Sequence, residues 1–145
     1  MKIVVQRVSC ASVHVEGTTV GSIEHGVLIF LGVTHTDREE QAIWLANKLI
    51  NLRIFEDQNG KINRSLLEEK GSALIVSQFT LYADCTEGRR PSFGLAATPE
   101  IAKPLYERFV NEMQKLGIRV QTGIFGAKMK VSLVNEGPIT LILER

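Results

Sequence analysis

Two short stretches of this chain place polar groups where apolar runs would otherwise continue. Ser77-Gln78-Phe79-Thr80 follows Ala73-Leu74-Ile75-Val76, so hydroxyl and amide groups sit at the end of a core strand. Asn135-Glu136-Gly137-Pro138-Ile139-Thr140 sets a Gly-Pro bond between two apolar segments. The first stretch offers two chemistries: Thr80 could act as a nucleophile, or the backbone N–H groups around it could hold an oxyanion. The ordinary alternative is a half-buried strand end whose polar groups cap their own backbone. A threonine hydroxyl needs a base. The two stretches supply only Glu136, and Asp84 lies four residues beyond Thr80. There is no Gly-x-Ser-x-Gly elbow and no evident Ser-His-Asp set. The backbone alternative needs no unusual residue. For Gly137-Pro138 the ordinary reading is a tight β-turn, proline fixing φ and glycine allowing an unusual one. Asn-Gly would be the default turn between two strands, which makes this pair conspicuous.

These residues must be held by a scaffold, and the hydrophobic pattern outlines one. Residues 2–8 are rich in β-branched types and predict a strand. Residues 12–16 alternate and predict another, with a short pairing through Thr19 to Ile23. The unbroken apolar run Val27 to Val33 predicts a strand buried on both faces. Thr36-Asp37 opens a helix, with Asp37 and Glu40 spaced as a capping box and Ala42, Leu45, Ala46 and Leu49 as its apolar stripe. Arg53 to Glu56 predicts a short strand, Asp57-Gln58-Asn59-Gly60 a hairpin turn, and Ser65 to Lys70 a short helix ended by Gly71. Ala73 to Leu81 predicts a strand and residues 83–97 a polar loop. Thr98 and Pro99 start a second long helix with core face Ile101, Leu105, Phe109, Met113 and Leu116, and Pro104 is expected to kink or restart it. Strands are expected at about 118–124, 129–135 and 139–144.

That order lacks regular βαβ alternation, and two helices cannot cover both faces of about eight strands. The expected class is α+β: one domain over 1–145, built as three layers β/β/α. It has two mostly antiparallel sheets and two main helices on one outer face. A chain of 145 residues with 44% hydrophobic and 23% charged residues has the size and composition of one such domain.

The net charge of +1 excludes a strong global field for nucleic acid, although Arg89, Arg90, Lys128 and Lys130 could form a local basic patch. Cys10 and Cys85 have no CxxC neighbour, and no signal-peptide pattern precedes the first strand, so a cytoplasmic protein with free thiols is expected. His14, His25 and His35 are scattered without ligand spacing, so no metal or cofactor is expected. No apolar run approaches the ~20 residues that span a bilayer, and no membrane association is expected.

The two stretches, Ser-Gln-Phe-Thr-Leu followed by Tyr-Ala-Asp, and Asn-Glu-Gly-Pro-Ile-Thr, resemble the two signature motifs of the D-aminoacyl-tRNA deacylases. Gln6-Arg7-Val8, the Gly88 to Phe93 loop and Phe125 to Lys130 are similar to that family too, so the likeness runs nearly end to end. The resemblance implies a carboxylic-ester hydrolase that frees D-amino acids from the 3′-terminal adenosine of tRNA, a proofreading activity in translation. It implies a homodimer with each active site at the subunit interface. Ser77, Gln78, Phe79 and Thr80 would line the adenosine and ester pocket. Gly137 and Pro138 would form a Gly-cis-Pro pair reaching into the partner's pocket, with Arg7 holding it. Phe125 and Met129 would line the substrate site; ordinary core packing is the alternative for these two.

A chirality filter built this way has a physical logic. Backbone carbonyls can hold an α-amino group while leaving no room on the L side, whatever the side chain is. Glycine has nothing to exclude, so glycyl-tRNA is expected as a second substrate. Two mechanisms remain open: Thr80 as nucleophile, or assistance by the 2′-hydroxyl of the terminal ribose, with N–H groups of the Gln78–Thr80 segment stabilising the oxyanion. The lack of a visible base favours the second. Readings from other classes are a β-rich dimerising scaffold without turnover, and a general small-ester hydrolase.

Overall fold

The computed structural model describes residues 1–145. Its spine is β1 (Lys2–Val15), one 14-residue strand where two shorter ones were expected. β2 (Thr18–Ile23) and β3 (Gly26–Gly32) run back along one edge of β1, β2 beside its second half and β3 beside its first. Gly26 begins β3 at φ +157°, and a Cβ there would lie 1.9 Å from the Ser72 carbonyl oxygen. Only glycine lets β3 start this close to its next neighbour. That neighbour is the sixth strand in chain order, reached through α1 (Glu39–Asn51), the hairpin β4 (Arg53–Glu56) and β5 (Ile62–Ser65), and the one-turn helix α2 (Leu66–Glu69).

β6 (Ser72–Ser77) lies parallel to β3, and β7 (Arg119–Thr122) parallel to β6. α3 (Pro99–Lys115) connects those two parallel strands, as a crossover must. β8 (Lys130–Glu144) then runs antiparallel to β1 along nearly its full length. The result is a mixed α+β fold with one six-stranded sheet and one small two-stranded sheet. The expected two sheets are therefore very unequal.

The central strands alternate between two apolar clusters. Val27, Ile29 and Leu31 of β3, with Ala73 and Ile75 of β6, join a 24-residue cluster with α1 and α3. Leu28, Leu74 and Val76 point the other way, against Val8, Ala11, Val13 and Ile23. Burial on both faces explains why Val27–Val33 reads as an unbroken apolar run.

Four expectations change in detail. β6 ends at Ser77, and Phe79–Tyr82 forms a 3-10 turn closed by Leu81 N–H to the Gln78 carbonyl (3.3 Å) and Ala83 N–H to that of Thr80 (3.0 Å). The N-cap of α1 is Arg38, whose N–H donates to the Gln41 side chain at 2.9 Å. Asp37 instead accepts from the Met1 ammonium and from Thr34 N–H, and is buried. α3 passes through Pro104 without restarting, and its buried face is Ala102, Leu105, Tyr106, Phe109 and Met113, while Ile101 is exposed. The strands expected at 129–135 and 139–144 are one strand, β8, which begins at Lys130. No helix is long and apolar enough to cross a membrane.

Candidate active site

The end of β6 opens into a cavity of about 530 Å³. Leu31 of β3 and Val33 just beyond it, Val76, Ser77 and Gln78 at the end of β6, and Ala102 and Tyr106 of α3 form its inner wall. Its mouth is shaped by Phe79 and by the segment Phe125 to Met129. Gly126, at φ +75°, lets that segment turn, and Ala127 N–H closes the turn on the Ile124 carbonyl at 3.2 Å. The lining is mostly apolar with a few polar groups, the usual make-up of a small-molecule site.

β6 determines how the motif enters this cavity. Gln78 N–H still donates to the Leu31 carbonyl at 2.8 Å, so strand pairing persists one residue past Ser77. The chain then tightens into the 3-10 turn, and strand alternation is lost after Gln78. The N–H groups of Phe79 and Thr80 open that turn, and neither donates to any group in the chain. They are free donors beside an apolar cavity, as oxyanion stabilisation requires. Phe79 is 56% exposed and packs edge to face on Phe93 with ring centroids 5.0 Å apart.

Thr80 is exposed at the rim, and its hydroxyl accepts from the Gln78 side-chain amide. An amide donor cannot take a proton from it. Asp84, the other candidate base, is engaged elsewhere. It accepts from the Thr86 hydroxyl (2.7 Å) and Thr86 N–H (3.0 Å), which hold its carboxyl below the usual range. His35 contacts the Gly94 carbonyl at 3.0 Å, and His25 lies beside Phe55, Glu69 and Glu136. The structure offers Thr80 no activating base.

Tyr106 is the wall residue that sequence reasoning missed. Its hydroxyl donates to the Ile75 carbonyl at 2.9 Å and its ring lies 5.7 Å from that of Phe125. Burial pushes its pKa up to about 12, partly opposed by the Thr122 side chain. The helical spacing Ala102, Tyr106, Phe109, Met113 was the available signal, but a stripe including Ile101 fits the period nearly as well.

The second motif lies elsewhere on the chain. Gly137 and Pro138 do not line the cavity. They form a protrusion within β8: Val8 pairs with Asn135 and Gln6 with Thr140, so four residues, Glu136 to Ile139, face Arg7 alone. This extended bulge replaces the expected hairpin turn. The Gly137-Pro138 peptide is cis. Asn135 pins the neck, its amide donating to the carbonyls of Arg7 (3.0 Å) and Ile139 (2.9 Å). Arg7 is only 5% exposed; it donates to the carbonyls of Glu136 (3.3 Å) and Ile54 (2.9 Å) and lies 3.5 Å from Glu56. A Cβ on Gly137 would meet that guanidinium at 3.0 Å. One chain thus brings Ser77, Gln78, Phe79, Phe125 and Met129 together, and separately gathers Arg7, Gly137 and Pro138.

Comparison with known proteins agrees with this fold. The family model described as D-Tyr-tRNA(Tyr) deacylase matches residues 4–144. A D-aminoacyl-tRNA deacylase of Thermosipho africanus is 58% identical over 144 residues, covering 99% of this chain and 97% of that protein. One of Geotalea uraniireducens is 61% identical, covering 99% and 93%. Among solved structures, the c-Myc DNA Unwinding Element Binding Protein superposes with TM-score 0.93 at 38% identity, covering 100% of this chain and 99% of that one. A probable eukaryotic D-amino acid tRNA deacylase superposes at 0.84 with 20% identity, which speaks to the fold alone. The fold is therefore that of the deacylases. The chain belongs to the D-Tyr-tRNA(Tyr) deacylase family.

Proposed function

We propose that this protein hydrolyses the ester of D-aminoacyl-tRNA, releasing the free D-amino acid and tRNA. The observation that carries the reading is the cavity at the end of β6, lined by Ser77, Gln78, Phe79, Phe125 and Met129, beside the free N–H groups of Phe79 and Thr80. Ser77 and Gln78 line the ester and adenosine pocket, and Phe79 offers an exposed ring to the base. The N–H pair stabilises the tetrahedral oxyanion. Attack by water is assisted by the 2′-hydroxyl of the terminal ribose, with Thr80 structural, because its hydroxyl has only an amide for a neighbour.

The protein acts as a homodimer in which each Gly137-Pro138 protrusion enters the partner's cavity. The separation of Arg7, Gly137 and Pro138 from the cavity of their own chain supports this, since one subunit alone leaves the chirality filter outside the site. β8 also leaves an edge and exposed apolar residues for a second copy: Ile142 is 70% exposed and Val134 is 54%. The long β1–β8 ribbon, the β3–β6–β7 strands and the two long helices form the three layers. Residues 1–145 act as one deacylase domain, in the cytoplasm, without a cofactor. Arg89, Arg90, Lys128 and Lys130, all exposed, contact tRNA phosphates.

Glycyl-tRNA is a second substrate, because a filter for the L side chain has nothing to reject in glycine. The test is incubation with D-aminoacyl-, L-aminoacyl- and glycyl-tRNA. Release of the D-amino acid and glycine, with the L ester spared, is expected. No release from the D ester overturns the reading in favour of a scaffold; cleavage of simple esters lacking adenosine favours a general esterase. Protection of glycyl-tRNA under enzyme excess removes the glycine activity alone.

A further inference from the structure

We propose that His25 is a positioning residue for the Gly137-Pro138 protrusion, acting through Glu136. His25 lies in the link between β2 and β3 and does not line the cavity. Its Nε2 is 3.3 Å from the Glu69 carboxylate on α2, and its Nδ1 is 3.9 Å from the carboxylate of Glu136. Glu136 immediately precedes Gly137, so this imidazole lies between Glu69 of α2 and the base of the protrusion.

Arg64 Nε on β5 is 3.1 Å from the second Glu69 oxygen, a charge contact that leaves this buried oxygen without a hydrogen bond, and the His25 ring packs edge to face on Phe55 of β4, with centroids 5.2 Å apart. His25 also accepts Ser72 N–H on its carbonyl at 3.1 Å, which fixes its backbone to β6. From the other side, Arg7 of β1 holds the Glu136 carbonyl and lies 3.5 Å from Glu56. The main chain of Glu136 is thus gripped by Arg7 and its side chain faces His25.

The two ring nitrogens face two different carboxylates, so His25 spans from α2 to the base of the protrusion. The Glu136 contact is a 3.9 Å charge contact between half-exposed side chains, which sets its effect at the scale of an exposed ion pair. An amide in place of the ring gives that contact up, and a cationic side chain keeps an attraction to both carboxylates.

This inference rests on the reading that Gly137-Pro138 selects chirality. The experiment measures hydrolysis of D- and L-aminoacyl-tRNA by the full chain, His25→Gln, His25→Lys and Pro138→Ala, with Tm recorded for each. His25→Gln is expected to lower the D/L preference about threefold, the scale of an exposed ion pair, without loss of Tm. His25→Lys, which keeps a cation facing both carboxylates, is expected to hold the wild-type preference. Glu136→Gln is expected to lower the preference as His25→Gln does. Equal D/L preference in wild type and His25→Gln, with discrimination lost in Pro138→Ala, overturns the role of His25 alone. Retained discrimination in Pro138→Ala overturns the underlying reading and the inference with it.

Discussion

Thr80 illustrates how a residue's neighbours decide its chemistry. A hydroxyl at the rim of a cavity suggests a nucleophile, yet its only hydrogen-bond partner is the Gln78 amide. Thr80→Ala is therefore expected to retain turnover within about tenfold, since one hydrogen bond of ~1 kcal/mol is lost. Single-turnover kinetics on a D-aminoacyl-tRNA measure this, and a loss above a thousandfold would restore the nucleophile. A 2′-deoxy terminal ribose should be far more damaging than the Thr80 change. Tyr106 gives a prediction in pH. Its folded pKa, about 12, exceeds the ordinary tyrosine value, so above about pH 10 the unfolded chain loses a proton that the folded chain keeps. Stability is thus full below pH 10 and falls as pH rises towards 12. Tyr106→Phe should flatten that part of the Tm–pH curve while costing about 1 kcal/mol at neutral pH through the lost bond to Ile75.

At the scale of elements, β8 and its neck carry the predictions. Asn135 ties Arg7 to Ile139 across the base of the protrusion, so Asn135→Ala should lower activity more than it lowers Tm. Circular dichroism melting beside a deacylation assay separates the two, and equal loss of both would argue that the neck serves folding only. What the sequence revealed about these elements has a physical pattern. Val27–Val33 was readable because burial on both faces leaves an unbroken apolar run. The 3-10 turn at Phe79–Tyr82 was hidden, because Leu81 and Tyr82 look like continued strand and only the fold shows the Gln78 carbonyl accepting from Leu81. β8 was divided at Gly137-Pro138 because a Gly-Pro pair resembles a turn locally. That both flanks keep pairing with β1 is a property of two strands 130 residues apart. Phe125 and Met129 were placed by resemblance, whereas Tyr106 escaped because two overlapping helical stripes compete for the core.

For the whole molecule, the decisive quantity is assembly. In solution the protein should have twice the 16.1 kDa mass of the chain, as measured by sedimentation or light scattering. Specific activity should fall on dilution as dimers separate, since each site is proposed to need the partner's protrusion. A fully active 16.1 kDa species would remove the shared-site reading. Binding to tRNA should weaken with salt, and Lys128→Ala with Lys130→Ala should reduce the slope of that dependence by about one per lost phosphate contact.

The Glu136–Ile139 protrusion also separates two design variables that strands normally couple. Inserting one residue within a β-strand turns every later side chain to the opposite face. Here Asn135 and Thr140 remain in register with Val8 and Gln6, whatever lies between them. The finger can therefore be lengthened, shortened or rewritten while the rest of β8 keeps its facing. It behaves as an exchangeable tool head on a fixed handle, and variants with altered reach could be grafted there without rebuilding the core.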